Sequence, residues 1–90
     1  MERIIFEENN NRSLAIFDNN EVGYCEFEIK DNKWYIMHTV VLPEYGGRGI
    51  AKRLVLTLIN EARKRNIKIV PICSYAVKMM IGNEEFKDVL

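Results

Sequence analysis

The sequence has no excess of charge of either sign: 13 Lys and Arg residues balance 13 Asp and Glu residues. A balanced chain lacks the basic surplus that drives nonspecific binding to nucleic acids or anionic membranes. No apolar run approaches the ~20 residues that cross a membrane, and the segment around Glu2, Arg3 and Glu7 lacks the apolar core of a signal peptide. We therefore expect a cytoplasmic protein without nucleic-acid or membrane partners.

Cysteine is also scarce. Cys25 and Cys73 lie far apart and outside any metal-ligand spacing, so we expect reduced thiols, no metal site and no disulfide framework. The 90 residues contain no repeat and no low-complexity linker, which predicts a single small domain over residues 1–90. For the oligomeric state, we expect a monomer or a weak homodimer.

The first half of the chain has the composition of β-strands. β-Branched and aromatic residues predict strands over 3–8, 13–17, 22–29 and 34–42, and the Asn- and Asp-rich segments between them predict tight turns. Strands joined by such short turns pair antiparallel. After residue 50, apolar side chains recur every three or four positions, which predicts an amphipathic helix that ends near Asn66 in a left-handed cap.

The last third of the chain predicts one more strand and one more helix. Residues 67–72 are apolar at nearly every position, as in a strand buried on both faces. Ser74 could cap a short helix that Gly82 ends, and a tail with Phe86 and Val89 could pack back. The predicted fold class is α+β, with a mostly antiparallel five-stranded sheet and the element order β-β-β-β-α-β-α.

The most informative segment joins the fourth strand to the helix through a loop that contains Gly46, Gly47, Arg48 and Gly49. Glycine has no Cβ to block close approach, and the first turn of a helix presents unpaired N–H groups and the positive end of its dipole to an anion. The loop therefore predicts a phosphate site.

Two common phosphate motifs do not fit this loop. A P-loop needs Ser or Thr after its lysine, whereas Arg53 follows Lys52. A dinucleotide fingerprint needs a third glycine where Lys52 stands, and it opens a βαβ unit rather than following antiparallel strands. Nucleotide hydrolysis and dinucleotide binding are therefore disfavoured.

The loop resembles motif A of the GNAT superfamily of N-acetyltransferases, which is Arg/Gln-x-x-Gly-x-Gly/Ala after an apolar-x-Pro segment. Val41-Leu42-Pro43 leads into the loop and Gly49-Ile50-Ala51 matches its end, although Gly46 replaces the usual Arg or Gln. The resemblance covers about residues 20 to 82. It implies a GNAT-like fold with splayed fourth and fifth strands, and a chain that uses acetyl-CoA (CoA) to acetylate a small-molecule or protein amine.

The same resemblance implies which residues bind the cofactor. In that family, main-chain amides of the loop hold the pyrophosphate, and amides of the preceding strand polarise the thioester carbonyl. Carried over to this chain, the cofactor-binding residues are Thr39, Val40, Val41, Gly46, Gly47, Arg48, Gly49, Ile50, Ala51, Lys52 and Arg53.

The acceptor chemistry is less well defined. The chain has no room for the helical pair or the extra C-terminal strands that shape the acceptor cleft in most members, and no tyrosine follows Tyr75. It resembles the small, truncated acetyltransferase-like branch, in which Pro71-x-Cys73 recurs. Cys73 is a candidate nucleophile toward the thioester, or else a small buried thiol. His38 is a candidate base, or else an exposed or hydrogen-bonded strand residue.

Three functions are compatible with these residues. The first is direct acetyl transfer from acetyl-CoA to an amine. The second is transfer through an acetylated Cys73, and the third is non-catalytic acyl-CoA binding. We favour the first, an acetyl-CoA-dependent acetyltransferase.

Overall fold

The computed structural model describes residues 1–90 and contains five strands and two α-helices. The elements confirm the predicted α+β class and order. Short 3-10 turns occur at Glu8–Asn10, Pro43–Tyr45 and Glu84–Val89. The strands and helices are β1 (Glu2–Glu7), β2 (Arg12–Phe17), β3 (Asn20–Lys30), β4 (Lys33–Val41), α1 (Ile50–Lys64), β5 (Lys68–Pro71) and α2 (Ser74–Met80).

The strands form one sheet in the order β1-β2-β3-β4-β5. The first four pair antiparallel, and the turns that join them contain Asn and Asp residues in the left-handed conformation that tight hairpins require. β4 and β5 pair in parallel because α1 connects them. The sheet is therefore mostly antiparallel, as predicted, but mixed.

A β-bulge in β4 decides which residues face the helices. Ile36 and His38 pair with consecutive residues of β3, so Met37 is the extra residue in β4. Side chains alternate between the two faces along a strand. Because of the bulge, Thr39 faces the same side of the sheet as Ile36, and His38 faces the opposite side.

Helix α1 packs along one face of the sheet through an apolar stripe of period three to four. The chain leaves the helix through Asn66 in the left-handed region (φ 55°), as predicted. Phe86 and Val89 of the tail are buried in the same core, which confirms that the tail packs back. Neither helix combines the length and apolarity needed to cross a membrane. The buried residues of α1 are Ile50, Leu54, Val55, Leu58, Ile59 and Ala62.

β5 differs from the prediction. It has four residues, Lys68–Pro71, and it lies at the edge of the sheet. Ile69 is its only buried residue, so the prediction of a strand over 67–72 that is buried on both faces is wrong. One edge of the sheet is therefore short.

β4 and β5 diverge beyond Ile36. The carbonyl oxygen of Ile36 accepts hydrogen bonds from the N–H groups of Ile72 and Cys73, at 3.0 Å each. β4 continues to Val41 without a partner strand on that edge. The resulting opening between β4 and β5 is the predicted splay, and it begins beside Cys73.

Candidate functional site

Two glycines shape the loop between β4 and α1. Gly47 and Gly49 have positive φ angles of 77° and 75°, a region that other residues enter at a cost of about 1 kcal/mol or more. Gly49 is also the N-cap of α1, and no side chain caps the helix there. A ligand at this end of α1 therefore meets main-chain atoms.

The N–H groups of six consecutive residues, from Gly47 to Lys52, donate no hydrogen bond within the protein. The first bond of α1 is made by the Arg53 N–H, which donates to the Gly49 carbonyl at 3.1 Å. The first turn of α1 contains no acidic residue. Unpaired amides at the positive end of a helix dipole favour an anion, so these residues fit a phosphate group.

A cleft of about 220 Å³ lies against this loop. Tyr75, in the first turn of α2, is one of its walls and was not among the predicted binding residues. Burial raises the pKa of its phenol, so the hydroxyl is a hydrogen-bond donor at neutral pH. The sequence feature that could have pointed to Tyr75 is that it is the last tyrosine of the chain. The cleft is lined by Val41, Tyr45, Gly46, Gly47, Gly49, Ile50, Ala51, Lys52 and Tyr75.

Three side chains form a line of polar contacts where the splay begins. The Thr39 hydroxyl lies 3.4 Å from the sulfur of Cys25 and 3.4 Å from the sulfur of Cys73. The Cys73 sulfur also accepts from the Ala76 N–H at 3.4 Å and so caps α2. The predicted cap at Ser74 is therefore wrong by one residue. Both thiols are free.

Burial keeps the inner thiol of this line of contacts protonated. Cys25 is fully buried, and the loss of solvation raises its pKa to about 12, so it remains a thiol. Either atom of these two contacts can be the donor; when the Cys25 thiol donates to the Thr39 oxygen, the single Thr39 hydroxyl hydrogen is free for Cys73. In that arrangement the Cys73 sulfur accepts from the Thr39 hydroxyl as well as from the Ala76 amide.

The main chain of β4 also faces the splay at two positions. The Leu42 N–H donates to the Val22 carbonyl at 2.8 Å. Since hydrogen-bonded and non-hydrogen-bonded pairs alternate along an antiparallel ladder, the main-chain groups of Thr39 and Val41 point to the open edge, and those of Val40 point to β3. Thr39 and Val41 can therefore bind a ligand in the splay, whereas the main chain of Val40 is used within the sheet.

Comparison with protein families assigns this chain to a family. The family model for GCN5-related N-acetyl-transferase matches residues 13–89. The chain belongs to the GCN5-related N-acetyltransferase family. The match confirms the predicted membership of the GNAT superfamily. A comparison with the curated proteins gives no match.

Solved structures of this family resemble the chain closely. A GCN5-like protein from Staphylococcus aureus, solved by NMR, has a TM-score of 0.74 and 30% identity over 97% of this chain and 85% of its own. Ribosomal-protein-alanine N-acetyltransferase from Brucella melitensis biovar Abortus 2308 has a TM-score of 0.64 and 25% identity, and the match covers 76% of this chain and 56% of that protein. PaiA N-acetyltransferase from Thermoplasma acidophilum, in complex with CoA, has a TM-score of 0.59 and 28% identity, and the match covers 62% of this chain and 35% of that protein. This chain spans about half of the second protein and about a third of the third.

Some residues predicted for the site lie apart from the cleft. His38 is exposed on the face opposite Thr39 and makes no hydrogen bond to Cys73, so the structure does not bring the two candidate catalytic residues together. Arg53 pairs with Glu2 of β1 at 2.5 Å. The roles of His38 and Arg53 stay predictions.

Two further predicted residues differ in what they present to a ligand. The Arg48 guanidinium lies 5.1 Å from the centre of the Tyr45 ring and has no carboxylate partner, so it is available at the loop. The side chain of Ile50 is buried in the core. Ile50 can therefore contribute only its N–H group.

Proposed function

We propose that this chain binds acetyl-CoA along the splay between β4 and β5 and transfers the acetyl group to an amine. The observation that supports this most directly is the run of unpaired N–H groups from Gly47 to Lys52, at the end of the splay opposite Cys73. A pyrophosphate fits the glycine loop at one end of the splay. The thioester of the same molecule then lies toward the other end, beside Cys73. PaiA N-acetyltransferase, a family member in complex with CoA, supports the choice of ligand.

Each part of the splay has a role in this proposal. The loop amides bind the pyrophosphate, and the main-chain groups of Thr39 and Val41 hydrogen-bond the arm that leads to the thioester. Acetyl-CoA supplies an activated acetyl group. An N–H that donates to the thioester oxygen stabilises the negative charge that develops there during attack. The C–N bond forms, the C–S bond breaks, and the departing sulfur takes up a proton.

The attacking amine must also lose a proton. His38 faces the side of the sheet opposite Thr39, so it is suited to accept a proton, directly or through water, from an amine that approaches from that side. A small or protein-borne amine can reach this surface, since His38 is exposed. The acceptor is therefore expected to approach from the face that α1 does not cover.

The binding step is tested by titrating the full chain with acetyl-CoA and following the backbone amide resonances by NMR. The largest shifts are expected in residues 39–41 and 46–52. Shifts confined to residues outside 39–54 would contradict the site. The transfer step is tested by measuring release of free CoA with a panel of amines, and saturable binding without release by any amine would favour a non-catalytic acyl-CoA-binding module.

A second candidate function is transfer through Cys73. The two donors that face its sulfur, the Thr39 hydroxyl and the Ala76 amide, support it because they stabilise a thiolate. The thiolate attacks the thioester carbonyl carbon, the new C–S bond to Cys73 forms, and the bond to CoA breaks as CoA leaves. An amine then takes the acetyl group from Cys73 and regenerates the thiol.

Intact-mass measurement separates this route from direct transfer. Incubation with acetyl-CoA in the absence of an amine should add one acetyl group to the chain. The adduct should be absent in Cys73→Ala and retained in Cys25→Ala, which removes the buried thiol instead. CoA release that proceeds unchanged in Cys73→Ala would exclude the cysteine route and leave direct transfer.

A further inference from the structure

A second cleft adjoins the cleft at the glycine loop. It has a volume of about 280 Å³ and lies between the start of α1, helix α2 and the C-terminal tail. Lys52 and Tyr75 line both clefts, so the two are neighbours along one surface. The remaining lining residues are Lys78, Met79, Asn83, Glu85 and Phe86. The family comparison assigns nothing to this groove.

The cations of the groove differ from the other cations of α1 and of its C-cap. Arg53, Arg63, Lys64 and Arg65 each pair with a carboxylate, at 2.5, 2.8, 3.3 and 3.1 Å respectively. Lys52 and Lys78 are exposed and have neither an ion pair nor a hydrogen bond within the protein. Two lysines without partners in adjoining clefts favour an anion between them.

One carboxylate opposes them. Glu85 lines the same groove, and its carboxylate pairs with neither lysine. Only main-chain groups of Glu85 are engaged: its oxygen accepts from Arg63 at 2.7 Å and its N–H donates to the Asn83 side chain at 3.0 Å. The side chains of the groove therefore have two positive charges and one negative charge. This balance favours an anion modestly and predicts that removing the Glu85 charge strengthens its binding.

The chemistry of CoA identifies the anion. Its acyl end must lie toward Cys73 and Thr39, so its nucleoside end leaves the loop on the other side of the pyrophosphate. The ribose next to that pyrophosphate has a 3′-phosphate, which dephospho-CoA lacks. A dianionic phosphate close to the pyrophosphate is suited to a groove that adjoins the loop and has two lysines without partners.

We propose that Lys78, together with Lys52, binds the 3′-phosphate of CoA and makes this chain selective for CoA over dephospho-CoA. This inference rests on the proposed function, because it assumes that the pyrophosphate binds at Gly47–Lys52. Tyr75 lies between the two phosphate positions, and its neutral phenol can donate to either.

Calorimetric titration of the full chain with CoA and with dephospho-CoA tests the inference. The wild-type chain should bind CoA about tenfold more tightly than dephospho-CoA. Lys78→Ala should reduce this ratio to about twofold and leave the affinity for dephospho-CoA unchanged. Glu85→Gln should raise the ratio. Lys87→Ala is the matched control, because Lys87 is an exposed lysine of the tail that pairs with Glu84 at 3.5 Å, and it should leave the ratio as in the wild type.

The possible outcomes separate the two proposals. Equal affinities for CoA and dephospho-CoA in the wild type overturn the 3′-phosphate site and leave the proposed function intact. A tenfold ratio that persists in a Lys52→Ala/Lys78→Ala double variant also overturns it, because the selectivity then lies elsewhere. Binding of neither compound by the folded wild-type chain overturns both proposals.

Discussion

The two ends of the splay between β4 and β5 are built in different ways. At the loop end, a ligand meets main-chain N–H groups, and a Cβ added at Gly47 or Gly49 would find no other atom within 4 Å. At the other end, it meets side-chain atoms of Thr39 and Cys73 that are in contact at 3.4 Å, with Cys25 behind them at the same distance. The loop end is open and presents main-chain groups, whereas the other end is packed and presents side-chain atoms.

This difference indicates how each end can be disrupted. Main-chain donors remain whatever the side chains are, so only a change in charge or in backbone conformation removes the anion site. At the sulfur end, the chemistry depends on single atoms, and deleting one hydroxyl or one sulfur should be enough to change it. The loop end is therefore expected to determine whether the cofactor binds, and the sulfur end what happens to it.

The largest effect is expected from a negative charge at the loop. Gly49→Glu places a carboxylate among the unpaired amides and should weaken acetyl-CoA binding by about a hundredfold or more, because the carboxylate competes with and repels the pyrophosphate. Calorimetry gives the dissociation constant. The open space around Gly49 leaves room for the new side chain in the folded protein.

Gly49→Ala is the matched control for that variant. Alanine pays the same conformational cost at φ 75° but adds no charge, so its affinity should fall only about fivefold. Equal losses in the Ala and Glu variants would show that loop conformation, rather than anion binding by the amides, controls affinity. The contrast between an open main-chain end and a packed side-chain end would then lose its basis.

Thiol reactivity should differ strongly within the sulfur end. Burial raises the pKa of Cys25 to about 12, so at pH 8 on the order of one Cys25 in ten thousand is a thiolate, and the fraction rises only as the pH approaches 12. Iodoacetamide at pH 8 should therefore label the native chain once, at Cys73. Intact mass over time measures the rates.

The label should be lost in Cys73→Ala and should double when the wild-type chain is unfolded. Labelling of both cysteines at similar rates in the native chain would contradict the burial of Cys25. It would also remove the reason for treating Cys25 as a protonated thiol that can donate to Thr39.

The loop end was predictable from the sequence because its properties are local. Three glycines after a strand, followed by an amphipathic period, define a helix N-terminus whatever else the fold contains. The apolar stripe of α1 and the left-handed Asn66 were also predicted from short-range patterns, whereas the splay was implied by the family resemblance. The family resemblance rested on the same few residues.

The sulfur end was only partly predictable, because it depends on a bulge. A regular strand over 34–42 would place His38 on the face of Ile36, toward the helices. The extra residue Met37 reverses this order, so Thr39 reaches Cys73 and His38 faces away. No local pattern in β4 indicates a bulge at that residue, and the packing of Thr39 against Cys25 across two strands becomes visible only in the structure.

A medium effect is expected from Thr39. Thr39→Val keeps the shape but removes the hydroxyl that contacts Cys73 and can donate to its thiolate, and it should slow iodoacetamide labelling of Cys73 at pH 7 by about tenfold. The same variant should slow formation of the acetyl adduct, if transfer uses Cys73. Thr39→Ser restores the hydroxyl and should recover the rate.

A structural effect alone would behave differently. If Thr39 only fills space, Thr39→Ser should be as impaired as Thr39→Val or worse, since it deletes a methyl group. A labelling rate that falls in Thr39→Val and recovers in Thr39→Ser would confirm that the hydroxyl, rather than the shape of the side chain, acts on Cys73.

The smallest effect is expected from the arginines of the loop end, and it tests how far side chains matter there. Arg48 has no carboxylate partner, whereas Arg53 pairs with Glu2 at the surface. Arg48→Ala should weaken acetyl-CoA binding about threefold at low salt, and Arg53→Ala less than twofold. Calorimetry at two salt concentrations measures both, and the Arg48 effect should shrink as salt screens the charge. A larger loss in Arg53→Ala than in Arg48→Ala would mean that the ion pair with Glu2 opens to bind the ligand, and the loop end would then depend on side chains as the sulfur end does.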